Sequence, residues 1–399
     1  MGKFAKRKEG KVVGKDAQDR PGWKGPGHVK KDGPAAKSKK EKMTEPKSEE
    51  TEPEPTVPAS LQQTLLNIFR DAFPELVASN DLQRVLQDVK GALYERDFNR
   101  AFGTDEYLEA YSLRWSPSRA LGYTTMLVDI QEYLAPHLGL VEQSQDSADP
   151  TASKTVALHV ICFGGGAAEV VAFGGFQKFL EDSISQKPKD TGLEDAVAKI
   201  SITQQSKIKL YLVDSAAWQH VATKLNEGLS SLPILKYANS AAKEANRALL
   251  PAGEITTTFQ KENVLDMSLP QVMEMIGGEL KLLTLLFTLN ELYTASIGKT
   301  TAFLLNLTLA SKPGTLLLVA DSPGSYSETT VGTEAKKYPM KFLMDHTLLA
   351  KEKSEAGDED ASWEKLVSDD SRWFRLPENL RYPIPLENMR YQIHLYRRV

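Results

Sequence analysis

Three consecutive glycines, Gly164, Gly165 and Gly166, follow the apolar run His159-Val-Ile-Cys-Phe and precede Ala167-Ala-Glu169-Val-Val-Ala. A strand that enters a glycine turn and then a helix builds a cradle for a nucleoside or dinucleotide. Glycine permits the tight turn and lets a ligand reach the backbone, and the first N–H groups of the helix have no partner inside it. The oxidoreductase fingerprint G-x-G-x-x-G is not met, because Glu169 stands where the third glycine belongs. A carboxylate at that point disfavours a pyrophosphate, which argues against a nicotinamide dehydrogenase.

Three further places carry polar groups just beyond an apolar run. Asp214 closes Lys209-Leu-Tyr-Leu-Val-Asp, where an acid at the end of a second strand accepts hydrogen bonds from ribose hydroxyls. The interval from Gly166 exceeds the usual ~20 residues, so the segment 181–206 is read as an insertion. After a third strand, Asn263 and Val264 offer a side chain and a backbone amide to an adenine edge, with an ordinary polar loop as the equal alternative. A fourth run ends in Phe287-Thr-Leu-Asn290-Glu291-Leu-Tyr293. In open α/β sheets ligands sit beyond the carboxyl ends of the strands, so Asn290, Glu291 and Tyr293 are candidates to face the reacting group. A glycine-lysine passage, Ile297-Gly-Lys-Thr-Thr, lacks the first glycine of a triphosphate-binding loop, since position 293 is tyrosine.

The elements that must position these residues fall into three parts. Residues 1–58 are rich in Lys, Glu, Pro and Gly and have almost no aliphatic residues, which predicts a disordered tail. Within it, residues 1–42 hold 14 Lys or Arg against 5 Asp or Glu, a balance of +9, so the rest of the chain carries −13 of the net −4. Such a basic arm suits a polyanionic partner or a nuclear address, or is simply a solubilising tail. Residues 59–141 form a helical unit. Ser60 is read as an N-cap before Leu61, Leu65, Ile68 and Phe69, Asp81 opens a second series, and residues 123–140 form a further helix. From residue 155 apolar runs of strand length alternate with helices, at 155–163, 208–213, 256–259, 282–289 and 315–320, which predicts a parallel sheet covered by helices. Residues 372–376 and 390–396 predict a terminal antiparallel hairpin, and 181–206, 229–254 and 350–370 are read as insertions. The 399-residue chain has one cysteine, Cys162, so neither an intrachain disulfide nor a multi-thiolate metal site is expected. No membrane-spanning run is apparent.

Cys162-Phe-Gly-Gly-Gly-Ala-Ala-Glu169, Tyr111-Ser-Leu-Arg-Trp-Ser-Pro-Ser-Arg-Ala120 and Leu289-Asn-Glu-Leu-Tyr293 together resemble the fungal 25S rRNA uridine-N3 methyltransferases, a branch of the class I S-adenosylmethionine enzymes. The resemblance covers residues 59–399. It implies a Rossmann-like α/β fold with a seven-stranded mixed sheet, S-adenosylmethionine as cofactor, and rRNA or a pre-ribosomal particle as partner in the nucleus or nucleolus. Gly164, Gly165, Gly166, Glu169, Asp214, Asn263, Val264 and Asn290 would then bind the cofactor. Asn290, Glu291 and Tyr293 would serve the transfer, with Glu291 orienting or deprotonating the base. Tyr111, Arg114 and Arg119 would hold RNA by charge and stacking, or would be helix packing with snorkelled charges. The wider class usually has an acid where this chain has Cys162, so the methionine amino group would need another partner, Glu169, Glu291 or water. A methyltransferase acting on protein or a small molecule, and a non-catalytic ribosome-assembly scaffold, remain as alternatives.

Overall fold

The computed structural model describes residues 56–138, 157–185, 207–235, 239–244, 246–324, 328–330, 337–353 and 359–399. Nearly all of the tail, the polar stretch 142–154 and most of the insertion 181–206 lie outside these residues. Seven strands form the central sheet: β1 (Ala157–Phe163), β2 (Lys207–Asp214), β3 (Ile255–Lys261), β4 (Leu282–Leu286), β5 (Leu316–Asp321), β6 (Trp363–Phe374) and β7 (Met389–Arg398). Their spatial order is β6-β7-β5-β4-β1-β2-β3. The first five are parallel, and β7 runs antiparallel to both β5 and β6. Every residue of β4 and β5 is buried, as parallel strands covered on both faces require. The neighbours of β1 are β2 and β4, reached in opposite directions along the sheet. This is the topological switch point, and the glycine turn stands at its carboxyl end.

One face carries the helices α1 (Ala59–Ala72), α2 (Leu82–Tyr94), α3 (Asp105–Arg114), α4 (Ser116–Asp129), α5 (Ala167–Ser185) and α6 (Gln219–Ser230). Leu65, Phe69, Val85, Leu113, Leu121 and Tyr123 share a single apolar cluster with Val160, Cys162, Phe173 and Leu210 of the β1–β2 region. The opposite face is covered by α7 (Leu269–Ile276), α9 (Ile297–Ala310) and α10 (Met340–Leu348), which build a second cluster on Ile161, Val213, Leu283 and Leu317. Between β4 and α9 lies the short α8 (Leu289–Ala295). Helix α4 packs against β7 at Gly122, which has no Cβ to collide with the Met389 methyl. Thr124 of the same helix donates to the Ala120 carbonyl and, at 3.3 Å, to the Ala172 carbonyl of α5. These contacts fix Arg119, near the start of α4, over the carboxyl edge of the sheet.

Several boundaries differ from those expected. Ser60 lies inside α1, with Pro58 at the N-cap position, because the fixed proline φ already starts the helix there. The helix expected at residues 123–140 begins instead at Ser116 with Pro117 in its first turn, the position where a missing N–H costs nothing. Strand β4 stops at Leu286, not Leu289. The largest correction concerns 350–370, because β6 begins at Trp363 inside that expected insertion. As an edge strand β6 is only partly buried, and register shifts at Lys365/Val367 and Asp369/Arg372 break its alternation. The period-two signal is lost for that reason.

Candidate active site

Gly164 adopts φ +74°, a left-handed conformation that side chains other than glycine seldom take. Its N–H donates to the Val213 carbonyl (2.7 Å), and a Cβ there would collide with the Thr288 side chain. Gly164→Ala is therefore expected to lower stability by roughly 2 kcal/mol or more, the sum of left-handed strain and displacement of Thr288. Urea denaturation measures this directly, and a loss below about 0.5 kcal/mol would show that the turn relaxes at little cost. The Gly166 N–H donates to Glu169 Oε2 at 2.8 Å, so the carboxylate folds back on its own turn.

Three carboxylates, two of them buried and one half-buried, gather at this edge. Glu169 starts α5, Asp214 ends β2 and Asp321 ends β5, with 5%, partial and 3% exposure respectively. Burial raises Glu169 to about 7, against the pull of the Gly166 and Glu169 N–H groups and Arg119. Burial likewise raises Asp214 to about 6 and Asp321 to about 6, although each accepts hydrogen bonds. Asp214 Oδ1 accepts from the Ala216 N–H at 2.7 Å, and the Trp218 indole lies beside the carboxylate. Asp321 accepts from the N–H groups of Asn290 (2.9 Å) and Ser322 (2.8 Å), which ties the start of α8 to the end of β5.

Arg119 is the cation facing this group. Burial alone would lower its pKa, yet Tyr111, Tyr123, Glu169 and Asp321 produce a net rise, so it stays charged. Its guanidinium donates to the Tyr111 hydroxyl and lies 5.0 Å from the Phe287 ring centroid and 5.8 Å from that of Tyr111. Phe287 itself has φ +56°, a strained value for an aromatic residue and worth about 1–3 kcal/mol. Its N–H bond to the Ala320 carbonyl (2.7 Å) and the Tyr123 ring at 6.3 Å help hold that geometry. Tyr111 contacts Trp115 and Trp218, with centroid separations of 5.4 and 5.7 Å. Outside this cluster a pocket opens, lined by Arg114, Trp115, Arg119, Phe287, Glu387 and Arg390. Arg114 pairs with Glu387 at its rim.

The fold thus brings together Gly164, Gly165, Gly166, Glu169, Asp214, Asn290, Tyr111 and Arg119, with Arg114 at the pocket. Glu291 is half-buried and pairs with Arg96 at 3.0 Å. Tyr293 does not join them. It is 1% exposed in the second apolar cluster, on the far face, with its hydroxyl toward Thr347. Asn263 spends its side chain locally, accepting from the Leu265 N–H and donating to Asp266; the Val264 side chain is buried, while the loop carrying its backbone amide is tied to the strand end through the Glu262 N–H, which donates to the Asp214 carbonyl (2.9 Å). The Ile297 passage is an ordinary helix start capped by Ser296, and Lys299 pairs with Asp266. Sequence reasoning misses Asp321, Phe287, Trp218 and Tyr123. Asp321 has a signal, since Leu316-Leu-Leu-Val-Ala-Asp ends in an acid just as β2 does.

Residues 69–397 match the model of a family described as "Putative SAM-dependent methyltransferase". The chain is also 33% identical over 344 residues to the 25S rRNA (uridine(2843)-N(3))-methyltransferase of Saccharomyces cerevisiae, covering 84% of this chain and 85% of that protein. The chain belongs to this methyltransferase family. Solved structures similar to it include the N-methyltransferase NodS of Bradyrhizobium japonicum with S-adenosyl-L-homocysteine (9% identity, 83% of this chain, 98% of that one, TM-score 0.32). Human N-acetylserotonin methyltransferase with SAM is another (11%, 84% and 66%, TM-score 0.30).

The enzyme uses S-adenosylmethionine, and its residues suit that molecule. The Asp214 carboxylate accepts the Ala216 N–H, and a carboxylate has about four acceptor sites, which leaves room for a ribose diol. Glu169, Asp214 and Asp321 give the cleft a negative balance against the single charge of Arg119, which favours a sulfonium. Cys162, at the place where the wider class has an acid, is buried beside Thr284. A buried thiol offers no carboxylate to the methionine amino group, which leaves Glu169 of the glycine turn as the acid present for it. Among the described residues no group of His, Cys, Asp and Glu is placed to hold a metal ion, and no helix is long and apolar enough to cross a membrane.

Proposed function

We propose that this methyltransferase modifies N3 of a uridine in large-subunit rRNA, on free RNA or a pre-ribosomal particle, in the nucleus or nucleolus. The observation that carries the reading is the permanently charged Arg119 held against Phe287 at the floor of an open pocket, beside the edge where the buried acids lie. A uracil slid over Phe287 meets a fixed positive charge suited to its imide, which must lose a proton before N3 can act as a nucleophile. The yeast relative, named for the same atom, supports this choice.

When bound, S-adenosylmethionine supplies an electrophilic methyl group on sulfur. The chain's own residues do the rest. Gly164–Gly166, Glu169, Asp214 and Asn290 hold the cofactor, Tyr111 and Arg119 fix the base, and Arg114 steadies its phosphate. Asp321, whose carboxyl burial raises to about 6, is ionised at neutral pH and takes the imide proton, ahead of Glu291, whose carboxylate is engaged by Arg96. The target base must be unpaired or flipped so that its Watson–Crick edge can enter. In this division residues 59–141 are the acceptor-side unit, 155–399 the cofactor-side domain, and the basic tail adds affinity for phosphate.

Calorimetric titration of S-adenosylmethionine into wild type and Asp214→Ala is the first test. We expect saturable binding that the substitution weakens about tenfold, as for a lost charge-assisted hydrogen bond. Transfer of a tritiated methyl group should then label rRNA and not protein. Absence of cofactor binding, or label appearing in protein, would reject the reading.

A further inference from the structure

Beside the acceptor pocket, the edge hairpin presents an exposed aromatic ring between two arginines. Trp373 of β6 is 50% exposed and sits directly across from Arg390 of β7. The Arg375 and Arg390 guanidinium carbons lie 5.3 and 5.8 Å from its ring centroid. Its neighbour Phe374 points the other way, into the core with Gly122 and Met389, so the position alternates cleanly between inside and outside.

The charges here are unbalanced. Among the described residues neither Arg375 nor Arg390 has a carboxylate partner, and the polar contact of Arg390 is its Nε donation to Ser371 Oγ at 2.9 Å. The nearby acids are already used, Asp369 by Arg372 and Asp370 by Lys341. By contrast Arg96, Arg114 and Arg372 each face a carboxylate. Arg390 also lines the pocket above Phe287, so one continuous surface joins Arg119 to Trp373.

We propose that Trp373, with Arg375 and Arg390, is a stacking platform for a single-stranded nucleotide next to the one being methylated. A base can lie against an exposed indole while the arginines take its phosphates, and such stacking tolerates any base. The inference rests on the rRNA reading of the active site. It adds the path by which the strand leaves the pocket, across the β6–β7 edge. Splaying the flanking nucleotide onto this platform also helps to keep the target base out of a duplex.

The test is fluorescence anisotropy of a labelled single-stranded oligouridine with the full chain, alongside calorimetric titration of S-adenosylmethionine. Trp373→Ala should weaken oligouridine binding about tenfold, within the range known for lost base stacking, and Trp373→Phe should retain most of the affinity. Arg375→Glu should flatten the dependence of binding on salt. Cofactor affinity should be the same in all three variants. Equal oligouridine affinity in Trp373→Ala and wild type overturns the platform, as does no oligouridine binding by a wild type that still binds the cofactor. Tritiated methyl label that enters protein and not rRNA overturns the underlying rRNA reading instead.

Discussion

Replacing Arg119 by methionine is expected to lower methyl transfer to rRNA at least hundredfold, and lysine should not restore it. The guanidinium is the fixed cation that meets the imide charge as it develops, and removal of one such preorganised group typically costs ~10²–10³ in rate. Its planar fork donates to Tyr111 and lies against the Phe287 ring, a combination that a tetrahedral ammonium cannot reproduce. Stability provides a second, independent readout. Without Arg119 the buried Glu169 and Asp321 lose the charge that favours their ionised forms. The variant should therefore melt well below wild type at pH 8, where these acids are charged, and close to it at pH 5, where they are protonated. Turnover within threefold of wild type would remove Arg119 from the chemistry, whatever its effect on melting.

The parts of this molecule that are legible in the sequence are those where one requirement dominates. Two buried faces make β4 and β5 continuous apolar runs, and a left-handed turn demands Gly164, so strands and cradle can be read directly. Asp214 stands out because it ends such a run. Asp321 ends another, but the apolar pattern closes that strand one residue short, at Ala320, and the acid is lost with it. Tyr293 shows the opposite failure. Its place after β4 suggests the cleft, yet it is on the helical turn that faces the far side of the sheet, which spacing within a short helix does not disclose. Phe287 is invisible for a different reason, since no local preference favours an aromatic residue at positive φ. Its conformation is imposed by the Arg119 and Tyr123 contacts, which arise only when α4 is brought over the sheet edge. Strand β6 escapes because an edge strand with bulges has little alternation to read.

The second large effect concerns pH. Glu169, Asp214 and Asp321 all titrate higher in the folded chain, at about 7, 6 and 6, than their ordinary values of 4.5, 3.8 and 3.8. Between these limits the native state binds more protons than the unfolded state, so stability of the cofactor-free enzyme falls as pH rises. The contribution is complete below about pH 4, declines through pH 5 to 7, and is gone by pH 8. Each pH unit between unfolded and folded titration is worth about 1.4 kcal/mol. Allowing for coupling among the three acids and Arg119, a total on the order of 5 kcal/mol is expected, with Tm several degrees higher at pH 5.5 than at pH 8. Asp369 works in the other direction, because the Ser371 N–H and Arg372 hold its carboxyl below the usual range, and its stabilisation is lost as pH falls further. S-adenosylmethionine carries a sulfonium and favours the ionised acids, so binding near pH 6.5 should release protons and should tighten as pH rises to 8. Calorimetry in buffers of different ionisation enthalpy reads the proton count, and thermal melts across pH read the stability. A cofactor-free melting temperature that climbs from pH 5.5 to 8 would mean that these carboxylates are already ionised and solvated in the folded chain, and the cleft could not be the low-dielectric, charge-balanced site on which the role of Arg119 depends.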